Sequence, residues 1–182
     1  MKRIKTLWVK NLTLGIIVLL VIYSSGCGSY RVSRQLSEEF RLHRVDVAEL
    51  GNVTDETDAS SGINVVNMFT DAVKTQLLLR QNKIREEGLV GEPKNYVIDG
   101  KILEYEKGNA CKRWLLPGWG STVLYVSCSI KEKGSDIIIS EVDIRRSISF
   151  GGLYTIGAWA SIFNKVAKDV VKEVYEKKKK DE

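Results

Sequence analysis

The apolar and polar positions in the second half of the chain alternate with the period of two that is typical of strands with one wet face. The pattern predicts three strands, over 96–106, 121–131 and 137–150. A tight turn at 133–136 joins the last two. In the strand predicted over 96–106, strict alternation places Tyr105 on the face opposite to Ile102. The inward-facing side chains predicted for the other two strands are Leu124, Val126, Cys128, Ile130, Ile138, Val142, Ile144 and Ile148.

A shorter alternating segment comes earlier in the chain and predicts one more strand, over 42–50. On this strand His43 shares a face with Val45, which predicts a partly buried histidine with no catalytic role. The polar and acidic residues of 51–58 then predict a loop.

Two segments carry apolar residues at helical spacing instead. The first helix is predicted over 62–85, with Ser60 or Ser61 as its N-cap. The second is predicted to start at Leu153 or Thr155 and to end at Lys177. The predicted buried stripes are Val66, Phe69, Val73 and Leu77 in the first helix and Trp159, Ile162, Phe163, Val166, Val170 and Val174 in the second.

The resulting element order is β-α-β-β-β-α, which predicts the α+β class. We expect a single domain over 41–178, with a four-stranded, mostly antiparallel sheet and two helices on one face. About 150 residues are enough for one sizeable core. The residues 179–182 form a charged tail.

The amino-terminal pattern is of a different kind. A basic start over 2–10 precedes an apolar run over 12–22, and small residues then lead to Cys27. This order resembles a bacterial lipoprotein signal, in which 1–26 is removed and lipid is attached to Cys27. Lipoprotein signals usually carry an aliphatic residue three places before the cysteine, where this chain has Ser24.

Two alternatives to the lipoprotein signal stay open, namely plain secretion and an uncleaved anchor. The apolar run is about half the roughly 20 residues that a helix needs to span a bilayer.

Gly28 after the cysteine does not resemble the aspartate that retains lipoproteins in an inner membrane. We therefore expect the periplasmic face of an outer membrane, or the cell membrane in an organism without one. The polar residues 27–40 are predicted to be a lipidated tether.

Charge changes the picture little once the signal is set aside. The chain holds 28 basic and 23 acidic residues, for a net charge of +5. Most of that excess lies in the signal and the remainder is nearly balanced, which argues against nucleic acid as a partner.

The connection over 107–120 is too long for a tight hairpin and is rich in glycine and tryptophan. Such loops often carry interactions, and arginine with tryptophan is typical of contact hot spots. A structural cap over the end of the sheet is the alternative. The candidate interaction residues are Asn109, Arg113, Trp114 and Trp119.

The same segment carries a resemblance to a known family. Gly108-Asn109, then Arg113, then Gly118-x-Gly120 before an apolar strand resembles the bacterial lipoproteins with domain of unknown function 4410. The resemblance covers Arg41 to Val174 and implies neither an enzyme activity nor an established ligand. Pro117 and Trp119 make the turn bulkier than the small-residue version usual in that family.

No pattern in the sequence predicts catalysis, a cofactor or a metal site. His43 is the single histidine, and no serine lies in a GxSxG context. Cys111 and Cys128 are free to pair or not in an oxidising compartment. The acidic residues of 55–58 lack the spacing of a calcium loop.

The expected function is therefore that of a lipid-anchored envelope protein, a non-catalytic interaction or assembly module with an envelope protein as partner. A periplasmic carrier of a small ligand or lipid, with a pocket between sheet and helices, is the alternative. A hydrolase would have to depend on His43 alone.

Overall fold

The computed structural model describes residues 28–34, 40–57, 63–89, 91–115, 119–149 and 157–175, and for 28–34 the backbone alone. In chain order the elements are β1 (Gly28–Arg34), β2 (Val47–Asp55), α1 (Val65–Glu86), β3 (Asn95–Glu106), α2 (Ala110–Leu115), β4 (Thr122–Glu132), β5 (Ile138–Ile148) and α3 (Ala158–Tyr175). The predicted signal, Cys27 and the charged tail lie outside the described residues.

The α+β class is confirmed, but the sheet differs from the prediction. It is a mixed sheet with the strand order β1-β5-β4-β3-β2. β2 pairs with β3 in parallel, whereas the other neighbours pair antiparallel. β2 and β3 run in parallel because the long helix α1 connects them, as in other parallel crossovers. The four predicted strands are β2 to β5, and β1 is additional.

β1 lies in the segment that the sequence predicted to be a tether. It pairs with β5 from Gly28 opposite Ile148 to Arg34 opposite Val142. The segment carries little apolar alternation, so its pairing is set by the free edge of β5 and not by a local pattern. Residues 28–34 of the predicted tether therefore belong to the sheet.

β2 begins and ends five residues later than predicted. The carboxylate of buried Asp46 accepts hydrogen bonds from the His43 backbone N–H at 2.7 Å and from the Lys94 N–H at 3.1 Å. These bonds hold residues 43–46 in a turn instead of a strand. At the other end, a bulge between Leu50 and Val53 lets the strand continue through the predicted loop.

α1 and α3 cover one face of the sheet, as predicted. α1 is capped by Asn64, whose side-chain oxygen accepts from the Asn67 N–H at 2.9 Å. The predicted caps, Ser60 and Ser61, lie outside the described residues. The predicted stripes are buried in one core except Val66 and Trp159, which are half-buried. The fully buried residues shared by the sheet and the helices include Phe69, Ile98, Ile102, Leu124, Val126, Ile130, Ile144, Ile162 and Phe163.

The predicted face of Tyr105 is wrong. A bulge between Ile102 and Glu104 shifts the register of β3 against β4. One extra residue reverses the facing of every later side chain. Tyr105 therefore turns into the core, where its ring lies 5.3 Å from that of Phe163 and its hydroxyl donates to the Trp159 carbonyl at 3.1 Å. Ile138 also departs from prediction, because it is exposed at the start of β5.

Candidate interaction site

The loop over 107–120 contains the short helix α2, which the sequence did not predict. Asn109 caps it, accepting from the Lys112 N–H through its side chain at 3.1 Å. The Asn109 backbone N–H donates to the Gly120 carbonyl at 2.8 Å, which closes the base of the loop. Asn109 is thus a structural residue, although its side chain is exposed.

Arg113 fastens α2 to the start of β4. Its side chain is only 4% exposed, and Nη1 donates to the Gly120 carbonyl at 2.6 Å and to Thr122 Oγ1 at 3.0 Å. The Thr122 hydroxyl in turn donates to the Lys107 carbonyl at 2.9 Å. Burial lowers the pKa of the Arg113 guanidinium. Arg113 was predicted as a contact residue, but its place in the structure is inside the loop.

Two glycines of this loop, Gly108 and Gly120, are needed for its geometry. Gly108 and Gly120 have φ of 68° and 72°, which side chains rarely adopt. A Cβ at Gly108 would lie 2.5 Å from the Ser121 carbonyl oxygen and 2.7 Å from Arg113 Nη1. The backbone therefore approaches Arg113 closely because there is no side chain between them.

The aromatic residues of the loop point outward instead. Trp114 and Leu115 are each 61% exposed, and Trp119 is 51% exposed. The Lys112 ammonium lies 5.3 Å from the centre of the Trp119 ring, within cation–π range. We call Trp114, Leu115 and Trp119 the aromatic patch. The loop thus combines both interpretations from the sequence, with a structural base and an exposed apolar surface.

Replacing Arg113 with alanine should destabilise the protein by about 2–3 kcal/mol, since charged hydrogen bonds contribute about 1.5–3 kcal/mol and the Gly120 carbonyl would lose a donor. Urea unfolding of the variant measures this change. Lys168→Ala, at an exposed position on α3, is the control and should change stability by less than about 0.5 kcal/mol. Equal losses for both variants would contradict the role given to Arg113.

The second candidate surface is the face of the sheet that no described helix covers, which we call the open face. Its centre is one row across three strands, with Glu104 opposite Tyr125 and Tyr125 opposite Arg145. Arg145 Nε and Nη2 each donate to the Glu104 carboxylate at 2.9 Å, bridging the row. This hydrogen bonding raises the pKa of Arg145. The sequence indicated a wet face here, but not the pairing.

A second ion pair lies on the same face, nearer the β4–β5 turn. Lys131 Nζ is 3.0 Å from the Asp99 carboxylate, which also accepts from the Asn52 N–H at 2.8 Å. Burial acts to raise the pKa of Asp99, but the bonds from Lys131 and Asn52 outweigh it and lower the pKa. Both pairs hold charged side chains in fixed positions on this face.

The residues considered for catalysis lie in three different segments of the fold. His43 is exposed in the turn before β2, so the prediction that it is partly buried in a strand is wrong. Cys111 and Cys128 are free thiols, the first exposed on α2 and the second buried on the core face of β4. Burial raises the pKa of Cys128 to about 12. In the part of the chain that the structure describes, no three His, Cys, Asp or Glu residues form a group able to bind a metal ion.

Sequence similarity identifies the family of the chain. The sequence profile described as "Domain of unknown function (DUF4410)" matches residues 44–152. The chain belongs to this family. The match confirms the resemblance seen in the loop sequence, and it spans β2 to β5 together with α2. No curated protein sequence matches the chain significantly.

Solved structures show a similar fold for this family member. One is the PelC L103M dodecamer from Paraburkholderia phytofirmans, with a TM-score of 0.53 and 11% sequence identity. That match covers 80% of this chain and 98% of the PelC chain. Another is a PelC dodecamer of the same organism in a second crystal form, with a TM-score of 0.48 and 10% sequence identity. That match covers 82% of this chain and 100% of the PelC chain. Among the described helices, none has the length and hydropathy to cross a bilayer.

Proposed function

We propose that the chain is a lipid-anchored envelope protein that has no catalytic role and assembles with other proteins through the open face of its sheet. The observation that carries the proposal is the preorganised row Glu104, Tyr125 and Arg145 on a face that no described helix covers. Ordered arginine and tyrosine side chains are enriched at protein interfaces.

The polar character of the open face suits a partner that is also stable alone. Arg145 and Glu104 remain 44% and 34% exposed, so each keeps contact with water in the free protein. A partner with complementary charges would gain orientation and specificity from such pairs more than raw affinity. A fixed bidentate pair also costs little side-chain entropy on binding, since it is already ordered.

Self-assembly is the form of interaction that the fold comparison favours. A solved structure of similar fold, with a TM-score of 0.53, is named as a dodecamer, and 98% of its chain is covered. We propose that this chain also assembles with copies of itself.

The proposed location is the periplasmic face of an outer membrane, or the cell membrane where there is no outer one, with lipid on Cys27 as the anchor.

Crosslinking in cells tests the assembly proposal. A photoreactive amino acid replaces Ser127 on the open face, and in a second variant replaces Lys168 on the exposed side of α3. We expect abundant adducts from position 127 and few from 168. Adduct masses that rise by whole copies of the chain indicate self-assembly, whereas another increment indicates a different envelope protein.

Arg145→Glu provides a second measurement on the same surface. It breaks the bidentate pair and places a like charge in the same row as Glu104, two strands away. Adducts from position 127 should then fall to the level seen at 168. Equal adduct yields at the two positions in the unaltered chain, or a yield at position 127 that Arg145→Glu leaves unchanged, would show that the open face is not the interface.

A carrier for a small ligand or lipid has less support. A groove between α1 and α3 has a volume of about 260 Å³ and is lined partly by Met68, Thr75, Phe163 and Asn164. Pockets for drug-sized ligands usually measure roughly 300–1,000 Å³ and bury most of the ligand. The groove is open, and between sheet and helices the side chains are packed in one core.

A further inference from the structure

The register of the sheet places the start of β1 beside the loop that carries the aromatic patch. Gly28 lies opposite Ile148, and Ile148 lies opposite Thr122, so the three residues form one row across β1, β5 and β4. Neighbouring strands are about 4.8 Å apart, so two strand spacings, about 10 Å, separate Gly28 from Thr122.

Chain connectivity extends this row to the two groups of interest. Cys27 directly precedes Gly28, and consecutive Cα atoms are about 3.8 Å apart. Trp119 precedes Thr122 by three residues, which span at most about 11 Å. The residue proposed to carry the lipid and the aromatic patch are therefore at the same end of the sheet, on the order of 10–25 Å apart.

The chemistry of the patch suits the boundary between lipid headgroups and acyl chains. Indole rings are enriched there because one end is apolar and the other donates a hydrogen bond. Lysine can keep its ammonium among the headgroups while its stem lies along apolar surface. Lys112 lies over the Trp119 ring, and nearby Lys107 lies 5.2 Å from the centre of the Trp159 ring.

The exposed apolar residues at the other end of the sheet lack both a neighbouring exposed tryptophan and closeness to Gly28. Ile137, 74% exposed, lies just before β5, beside the β4–β5 turn. β4 runs for 11 residues between the two ends, which is about 35 Å at the usual rise. That end carries no exposed tryptophan among the described residues and lies away from Gly28.

We infer that the aromatic patch of Trp114, Leu115 and Trp119 inserts into the headgroup region of the bilayer that holds the lipid on Cys27. The inference deepens the proposed function and rests on its anchor. It gives the body one orientation, with the α2 end towards the membrane and the β4–β5 turn away from it. The open face is then parallel to the membrane normal, with Arg145 and Glu104 at its centre still partly exposed.

Quenching of tryptophan fluorescence by brominated lipid tests the inference. The full-length gene is expressed in a bacterium, and the mature lipidated protein is reconstituted into phosphatidylcholine vesicles with bromine on the acyl chains. We expect strong quenching for the unaltered protein and for Trp159→Phe. The double variant Trp114→Phe with Trp119→Phe should lose at least about half of the quenching, because it removes the two indoles of the patch.

An added tryptophan tests the orientation directly. Ile137→Trp, made in a variant in which Trp114, Trp119 and Trp159 are all phenylalanine, puts the single indole of the mature body on the end away from the membrane, and its fluorescence should stay unquenched. Quenching of that indole, or quenching unaffected by removal of Trp114 and Trp119, would overturn the inference. Phenylalanine at exposed positions keeps the apolar bulk, so folding should be preserved.

Acyl labelling of the same samples separates this inference from the proposed anchor. Protein that carries acyl chains on Cys27 but shows no quenching of the patch would overturn the membrane contact and leave the anchor intact. Protein without acyl chains would overturn the anchor, and the inference with it.

Discussion

Replacing Cys27 with serine should release the protein from membranes. A serine hydroxyl cannot form the thioether through which lipoproteins receive their first lipid group. Each buried CH₂ contributes about 0.8 kcal/mol, and stable attachment takes more than one chain. The aromatic patch alone offers three side chains, which is too little to hold the protein on a bilayer without the lipid.

Metabolic labelling with a palmitate analogue, followed by fractionation of cell membranes, measures this effect. The unaltered chain should be labelled and sediment with membranes, and Cys27→Ser should be unlabelled and soluble. Cys111→Ser is the matched control, because it removes an exposed free thiol elsewhere and should leave label and location unchanged. Label retained by Cys27→Ser, or lost by Cys111→Ser, would refute the assigned attachment residue.

Replacing Phe163 with alanine should have the largest effect on stability, a loss of about 3–5 kcal/mol. The side chain is 1% exposed and belongs to the core between α3 and the sheet. Its ring lies 5.3 Å from Tyr105, so the substitution leaves a cavity beside a second aromatic ring. Native domains are stable by only about 5–15 kcal/mol, so the loss is a large part of the total.

Urea unfolding followed by circular dichroism measures the loss. Lys165→Ala, two positions along the same helix and exposed, is the control and should stay within about 0.5 kcal/mol of the unaltered protein. A loss below about 1 kcal/mol for Phe163→Ala would mean that α3 does not pack as described.

The Phe163 contact also shows where the sequence pattern fails. Alternation in 96–106 assigns Tyr105 to the wet face, and the bulge after Ile102 reverses it. A bulge is a property of two paired strands, so one strand read alone does not reveal it. The later start of β2 has a similar origin, since the Asp46 carboxylate bonds to Lys94, which is distant in sequence.

The loop over 107–120 was identified from its composition, but its internal organisation was not. α2 spans six residues, too few for an apolar period to appear. Arginine beside tryptophan suggests a surface, yet Arg113 is buried because the Gly120 carbonyl and the Thr122 hydroxyl accept its hydrogen bonds. Exposed Trp114 and Trp119 follow the interaction hypothesis, while Asn109 and Arg113 follow the structural one.

The sequence by itself determined the types of four strands and the two long helices, the α+β class, most of the core and the family. These depend on periods of two and 3.6 residues and on a short motif, which are local properties of the chain. Tertiary structure alone decided the parallel pairing of β2, the addition of β1, the bulge in β3 and the burial of Arg113. Each of these is a contact with another segment of the chain, where the partner and not the local pattern determines the conformation.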